Sequence, residues 1–195
     1  MRDVALNLVL ALSVVMLTTS CDKNSQQAKD DVVRKVSVSA PDGKAIAAFA
    51  SGCFWCTEHI FEAIPGVDSA VSGYSGGTTP NPTYELVNTE TTGHAETVLV
   101  YFDPATVNYE ELTKIFFLSH DPTTANRQGP DVGSSYRSIL FYGNDEEKAI
   151  AEKTLEHFKP LFSDPIVTEI KRLADFYRAE DYHEDYIHHN ARTPY

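Results

Sequence analysis

At 195 residues, 42% of them hydrophobic, the chain has material for one domain with an ordinary core, which excludes a disordered polymer. Sixteen basic residues against 28 acidic ones give a formal net charge of −12, which argues against nucleic acid as a partner and for a solubilising surface. The three cysteines, Cys21, Cys53 and Cys56, are too few for a disulfide-stapled scaffold. A bridge between Cys53 and Cys56 would close too small a loop to stabilise the fold much, so the pair points to redox or metal chemistry.

In chain order, Arg2 precedes an apolar run from Val4 to Leu17 broken only by Asn7 and Ser13. It falls short of the ~20 residues that span a bilayer and matches the apolar centre of a secretory signal. Leu17-Thr18-Thr19-Ser20-Cys21 follows and resembles the lipobox of bacterial lipoproteins, in which the cysteine becomes the lipidated first residue. The expectation is a lipoprotein-type signal over residues 1–20, lipidation at Cys21, a polar tether over 21–43 and a folded domain over 44–195. The protein would then be exported and anchored to a bacterial membrane, facing the periplasm or the exterior. An ordinary signal ending near Ser20 and a retained anchor helix are the alternatives.

From Lys44 strand-like and helix-like segments alternate. Ala45–Ala50 reads as a buried strand, Gly52 as a turn, and Phe54–Ile64 as a helix with Ile60, Phe61 and Ile64 on one face, stopped by Pro65-Gly66. Val67–Val71 is a second strand, followed by a loop over Gly73–Pro82. Thr97–Phe102 is a third, strongly β-prone strand. Asn108 with Glu111, and Asn144 with Glu147, mark two helix starts. Ser138–Tyr142 is a strand, Ile166–Leu173 a last one. The stretch from His120 to Tyr136 reads as irregular, and long loops in a compact domain usually carry function. The fold class is α/β (α+β), and a monomer is expected.

Gly52-Cys53-Phe54-Trp55-Cys56 puts Cys53 at a strand-to-helix turn, where the helix dipole and unpaired N–H groups favour a thiolate. Cys56 lies within reach to resolve a sulfenic acid on Cys53. Glu96 shares a strand face with Val98, Val100 and Phe102; apolar neighbours disfavour its charge and make it a proton donor near neutral pH, unless it is an exposed strand-end carboxylate. A third cluster, Asn126 to Ser138, carries Asp131, Tyr136 and Arg137 on a turn rich in glycine. With Tyr84 it would offer two phenolic donors without added charge.

Together these residues resemble the peptide-methionine sulfoxide reductase A family. The matching motifs are Gly52-Cys53-Phe54-Trp55, Thr83-Tyr84 with Gly93-His94-Ala95-Glu96, Asn126-Arg127-Gln128-Gly129, Asp131-x-Gly133-x-x-Tyr136-Arg137-Ser138, and Tyr182-His183-x-Asp185-Tyr186. The resemblance implies a two-layer, ferredoxin-like plait and reduction of the S epimer of methionine sulfoxide in oxidised proteins or peptides. It implies that Cys53 attacks sulfur, that Glu96 protonates the oxygen, that Tyr84 and Tyr136 hydrogen-bond it, and that Asp131 orders the polar wall. Phe54 and Trp55 would hold the methyl group. Cys56 would resolve the sulfenic acid, and a thioredoxin-like reductant would open the Cys53–Cys56 disulfide, with no cofactor and no metal. The chain departs from many family members in having no cysteine near its Thr193-Pro194-Tyr195 end, and Pro130 stands where Asn is frequent. Two other readings fit the C-x-x-C pair: a thioredoxin-like disulfide oxidoreductase, and a metal-binding or redox-sensing lipoprotein in which Cys53 and Cys56 join two of the seven histidines, the adjacent His188 and His189 reading as solvated. The first leaves Glu96 and Tyr136 unexplained, and the second lacks further ligands at regular spacing.

Overall fold

The computed structural model describes residues 33–191. The signal and Cys21 expectations lie outside the described residues. The elements in chain order are β1 (Arg34–Val36), β2 (Ala45–Ser51), α1 (Phe54–Glu62), β3 (Val67–Ser75), α2 (Tyr84–Val87), β4 (Ala95–Phe102) and α3 (Tyr109–Ser119). They continue with β5 (Arg127–Gln128), β6 (Asp131–Val132), β7 (Ser138–Tyr142), α4 (Asp145–Phe158), β8 (Glu169–Arg172), β9 (Phe176–Arg178) and α5 (Tyr186–His189). One seven-stranded sheet runs β1-β9-β3-β4-β2-β7-β8, antiparallel except for the β7–β8 pair, and β5 with β6 forms a separate small hairpin. The fold is mixed α/β.

Period-two alternation sorts the central strands onto two faces. Phe49, Val98, Val100 and Leu140 face a core shared with Phe61 of α1, Leu112 and Phe116 of α3, and Ala151 and Phe158 of α4. The opposite face carries Ala48, Ala50, Leu99, Ile139, Phe141 and Phe176, covered in part by Val36, Val38 and Leu173. Rings fill the helical side. Phe49 stacks on Phe61 with centroids 4.5 Å apart and meets Phe116 at 5.6 Å, and Phe117 stacks on Phe158 at 5.1 Å. The two methionines in the sequence, Met1 and Met16, both precede the described residues, so this core is packed without one.

The two long helices begin at the expected asparagine caps. Asn108 accepts from the Glu111 N–H at 3.0 Å while the Glu111 carboxylate accepts from the Asn108 N–H at 2.9 Å, closing a capping box. Asn144 accepts from the Glu147 N–H at 2.9 Å.

Strand β3 departs from the sequence expectation, which ended it at Val71 and began a loop at Gly73. It continues to Ser75, because Gly73, Tyr74 and Ser75 pair with Thr97, Glu96 and Ala95 on one side and with Arg178, Tyr177 and Phe176 on the other. Gly73 is required there: a β-carbon would stand 2.3 Å from the Tyr177 carbonyl oxygen. The partner β9 comes from a hundred residues further on, so local composition carried no sign of the pairing. The extension places Tyr74 opposite Glu96, beside the site described next.

Candidate active site

Strand β2 delivers the chain to the sheet end at Ser51. Gly52 turns it with φ 96°, and a β-carbon there would collide with the Gln128 side chain at 2.5 Å. Cys53 is therefore the residue that caps α1, with φ −56° and ψ 120°, and it is buried. Its sulfur does not cap the helix. The first helical N–H, that of Phe54, donates instead to Glu96 Oε2 at 3.0 Å. The positive end of the helix dipole thus acts on two acidic groups at once, the Cys53 thiol and the Glu96 carboxyl.

The acidic groups around this helix end are shifted in opposite directions. Glu96 is only 2% exposed, and burial drives its pKa well above the usual carboxylate range. The Phe54 N–H opposes this, while the charges of Cys53, Asp131 and Glu90 reinforce it. Cys56, half-buried one turn along α1, is pulled down to about 7 by a hydrogen bond with Cys53, against burial and the charges of Asp131 and Glu96. The two sulfurs are not bridged, and the hydrogen bond between them favours the Cys56 thiolate. A carboxyl whose charge burial disfavours thus stands beside two thiols joined by a hydrogen bond.

One cavity of about 110 Å³ is lined by Cys53, Phe54, Trp55, Tyr84, Glu96, Asp131 and Tyr136. The structure thereby brings together every residue that the sequence reading singled out for attack, proton donation and methyl binding. Cys56 opens on a neighbouring cavity of about 230 Å³, which also touches Cys53, Asp131, Ile60, His120 and Pro130. The Cys53 side chain therefore borders the first cavity and shares the second with Cys56.

Burial keeps both phenols of the first cavity protonated. Burial, then the charge of Glu96, raises Tyr136 above its ordinary range. Burial also raises Tyr84, against a hydrogen bond between its hydroxyl and the Asn88 side chain. The Tyr84 N–H at the start of α2 donates to Glu180 at 2.9 Å, and Tyr74 donates its hydroxyl to the same carboxylate at 2.9 Å.

The apolar wall involves residues that the sequence reading left without a role. Trp55 donates its indole N–H to His183 Nδ1 at 3.0 Å and stacks on Tyr186 with centroids 3.7 Å apart. Burial lowers His183 to about 4, so its ring is neutral and free to accept. The same ring lies 4.8 Å from Phe54 and 4.6 Å from Tyr84. The signal was the Tyr182-His183-x-Asp185-Tyr186 motif, but nothing in its spacing said that it returns to Trp55.

The family model described as peptide methionine sulfoxide reductase matches residues 45–195. The chain belongs to this family. It is 51% identical over 160 residues to peptide methionine sulfoxide reductase MsrA 1 of Rhodopirellula baltica, covering 82% of this chain and 83% of that one. It also resembles the solved structure of methionine sulfoxide reductase A of Corynebacterium diphtheriae, at a TM-score of 0.76 and 35% identity, covering 80% of this chain and 79% of that one. The crystal structure of Mxr1 from Saccharomyces cerevisiae in complex with Trx2 aligns at a TM-score of 0.55 and 27% identity, over 77% of this chain and 94% of that one. In this peptide methionine sulfoxide reductase, Cys53 and Glu96 stand at the β2–α1 junction and on β4, Tyr84 opens α2, and Tyr136 ends the turn before β7. Among the described residues no group of three His, Cys, Asp or Glu side chains is placed to hold a metal ion, and no helix is long and apolar enough to cross a membrane.

Proposed function

We propose that the protein reduces the S epimer of methionine sulfoxide in oxidised proteins or peptides and is recycled by a thioredoxin-like dithiol. The observation that carries this is the shared cavity, where the sulfur of Cys53 and the buried acid Glu96 face the same space with two phenols. Sulfoxide oxygen leaves poorly as an anion, so a neutral carboxyl and two O–H donors are the groups the reaction needs, and none of them repels the thiolate. Phe54 and Trp55 offer the methyl group an apolar wall.

The Cys53 thiolate attacks the sulfoxide sulfur while Glu96 gives its proton to the oxygen and Tyr84 and Tyr136 hydrogen-bond it. Oxygen transfers to Cys53, methionine leaves, and Cys53 remains as a sulfenic acid. The Cys56 thiol attacks that sulfur, water departs and a Cys53–Cys56 disulfide forms. A dithiol donor then reduces the bridge, and the yeast relative's complex with Trx2 supports a thioredoxin in that role. The electrons come from thiols throughout, so no bound cofactor enters. Asp131 lines both cavities and contributes to the polar wall between them. A thioredoxin-like activity is disfavoured, because it gives Glu96 and the phenols no task.

The order β3-β4-β2-β7, with α1 and α3 on one face, supports a ferredoxin-like plait as the core topology. The family match from residue 45 supports a catalytic domain over the expected range, while the pairing of β1 with β9 and the burial of Val33 support extending it to about residue 33, into the segment read as a tether. The apolar run and Cys21 support export and a lipid anchor on a bacterial membrane.

The test is thiol titration of the reduced protein after reaction with each epimer. The S form should consume two thiols per methionine formed, and the R form none. Cys56→Ser should complete one turnover and hold a sulfenic acid on Cys53 that dimedone traps. Reduction of insulin disulfide with no action on either epimer would overturn the reading.

A further inference from the structure

We propose that Glu90 is a positioning residue for this reduction: its carboxylate locks the turn that carries Tyr136 to the helix that carries Tyr84, and so sets where the two hydroxyls meet the sulfoxide oxygen. The inference rests on the reading of both tyrosines as donors.

Glu90 follows α2 closely. Its N–H donates to the Val87 carbonyl at 2.9 Å, which ties it to the helix that begins at Tyr84. Its backbone sits at φ 62°, in the left-handed region that side-chain-bearing residues rarely adopt. Such a conformation persists where the surroundings hold it. Here they do so through three hydrogen bonds to one carboxylate. Oε2 accepts from the Ser134 hydroxyl at 2.5 Å and from the Ser135 N–H at 2.9 Å, and Oε1 accepts from the Ser135 hydroxyl at 2.8 Å. Ser135 is fully buried, and Tyr136 is the next residue. The phenol therefore hangs one residue from a clamped point.

A second tie joins the same two segments. Arg137 donates to the Ser134 carbonyl at 2.7 Å and to the Gly93 carbonyl at 2.8 Å. The turn from Ser134 to Tyr136 is thus held at both ends against residues 90–93, which lead into β4 and Glu96. Glu90 does not line the catalytic cavity, so it reaches the reaction through what it holds and, at a distance, through its charge. Burial works against its charge, yet the Ser134 and Ser135 hydrogen bonds keep it below the usual carboxylate range, so the clamp stays closed wherever the enzyme works. Its charge is also among those that raise Glu96.

The test uses the full chain in four forms: wild type, Glu90→Gly, Tyr136→Phe and the double variant. Glycine takes the left-handed backbone without strain, so the substitution removes the clamp while sparing the turn. Single-turnover reduction of methionine sulfoxide is followed by thiol loss. Glu90→Gly should slow the step about tenfold, as misplacement of a donor does. In the Tyr136→Phe background the same change should cost less than about twofold, because the group being positioned is gone. Glu90→Gln should recover most of the rate, since its amide oxygen still accepts from Ser135, while the alkaline limb of the pH profile moves to lower pH. A Glu90→Gly rate within about twofold of wild type, beside a slow Tyr136→Phe, would overturn the inference alone. So would costs that multiply in the double variant. A Tyr136→Phe rate equal to wild type would instead remove the donor reading, and this inference with it.

Discussion

Replacing Cys53 by alanine should make Cys56 a far weaker acid. The Cys53 hydrogen bond is the largest influence on Cys56 and the one that lowers it to about 7; burial, Asp131 and Glu96 all push upward. With the hydrogen bond gone, every remaining influence raises the pKa, so it should pass the ordinary thiol value of 9.0. At pH 7 the thiolate fraction would fall from about half to about 1% or less, roughly fiftyfold. The rate of alkylation falls less, because a thiolate of higher pKa is the better nucleophile: two pKa units return roughly sixfold to tenfold. Iodoacetamide labelling at pH 7 should therefore slow by about fivefold to tenfold, while the plateau at high pH rises above wild type. The two curves cross, which a simple loss of access cannot produce. The assay is the labelling rate of the Cys56 peptide from pH 5 to 10, read by mass spectrometry. A midpoint that stays near 7 in Cys53→Ala would refute the argument and place the cause of Cys56 acidity elsewhere.

Two other outcomes can be checked on the same protein. Glu58 is buried and raised to about 8, by burial first and then by the charges of Glu184 and Glu62, while burial raises Glu184 to about 7. Since both folded values exceed the unfolded ones, the folded state holds extra protons between about pH 4.5 and 8, and stability should fall as pH rises through that window. Thermal unfolding should show a lower midpoint at pH 8.5 than at pH 5, and Glu58→Gln should flatten the slope; an unchanged slope would clear Glu58. His183→Phe removes the acceptor of the Trp55 N–H and should cost about 1–3 kcal/mol. Trp55 is the only tryptophan, so its emission reports directly on the loss, and an unshifted spectrum with wild-type stability would count against the His183 contact.

The parts of this molecule that were legible in its sequence were those set by local rules. Asn108 and Asn144 announce helices because a cap and its partner lie three residues apart. Gly52 before Cys53 announces a turn at a helix start for a similar reason. Alternation put Glu96 in line with Val98 and Val100, and the structure decides between the buried acid and the exposed strand end that this left open. What could not be read were contacts made across the chain. The extension of β3 needs β9, the setting of Trp55 needs His183 and Tyr186, and the clamp on Tyr136 needs a glutamate 46 residues earlier. In each case the local signal was weak or misleading: Gly73 read as loop, and Glu90 occupies a backbone conformation that its side chain disfavours.

The ring-packed core has a bearing on survival. Oxidants turn methionine, a pliable filler of many protein interiors, into a polar group that disrupts what it once packed. Phenyl rings and aliphatic branches stand in all of those positions here, and the described residues offer no such target. Among the described residues, then, the packing loses nothing to methionine oxidation, and that part of the chain offers the reaction no substrate of its own.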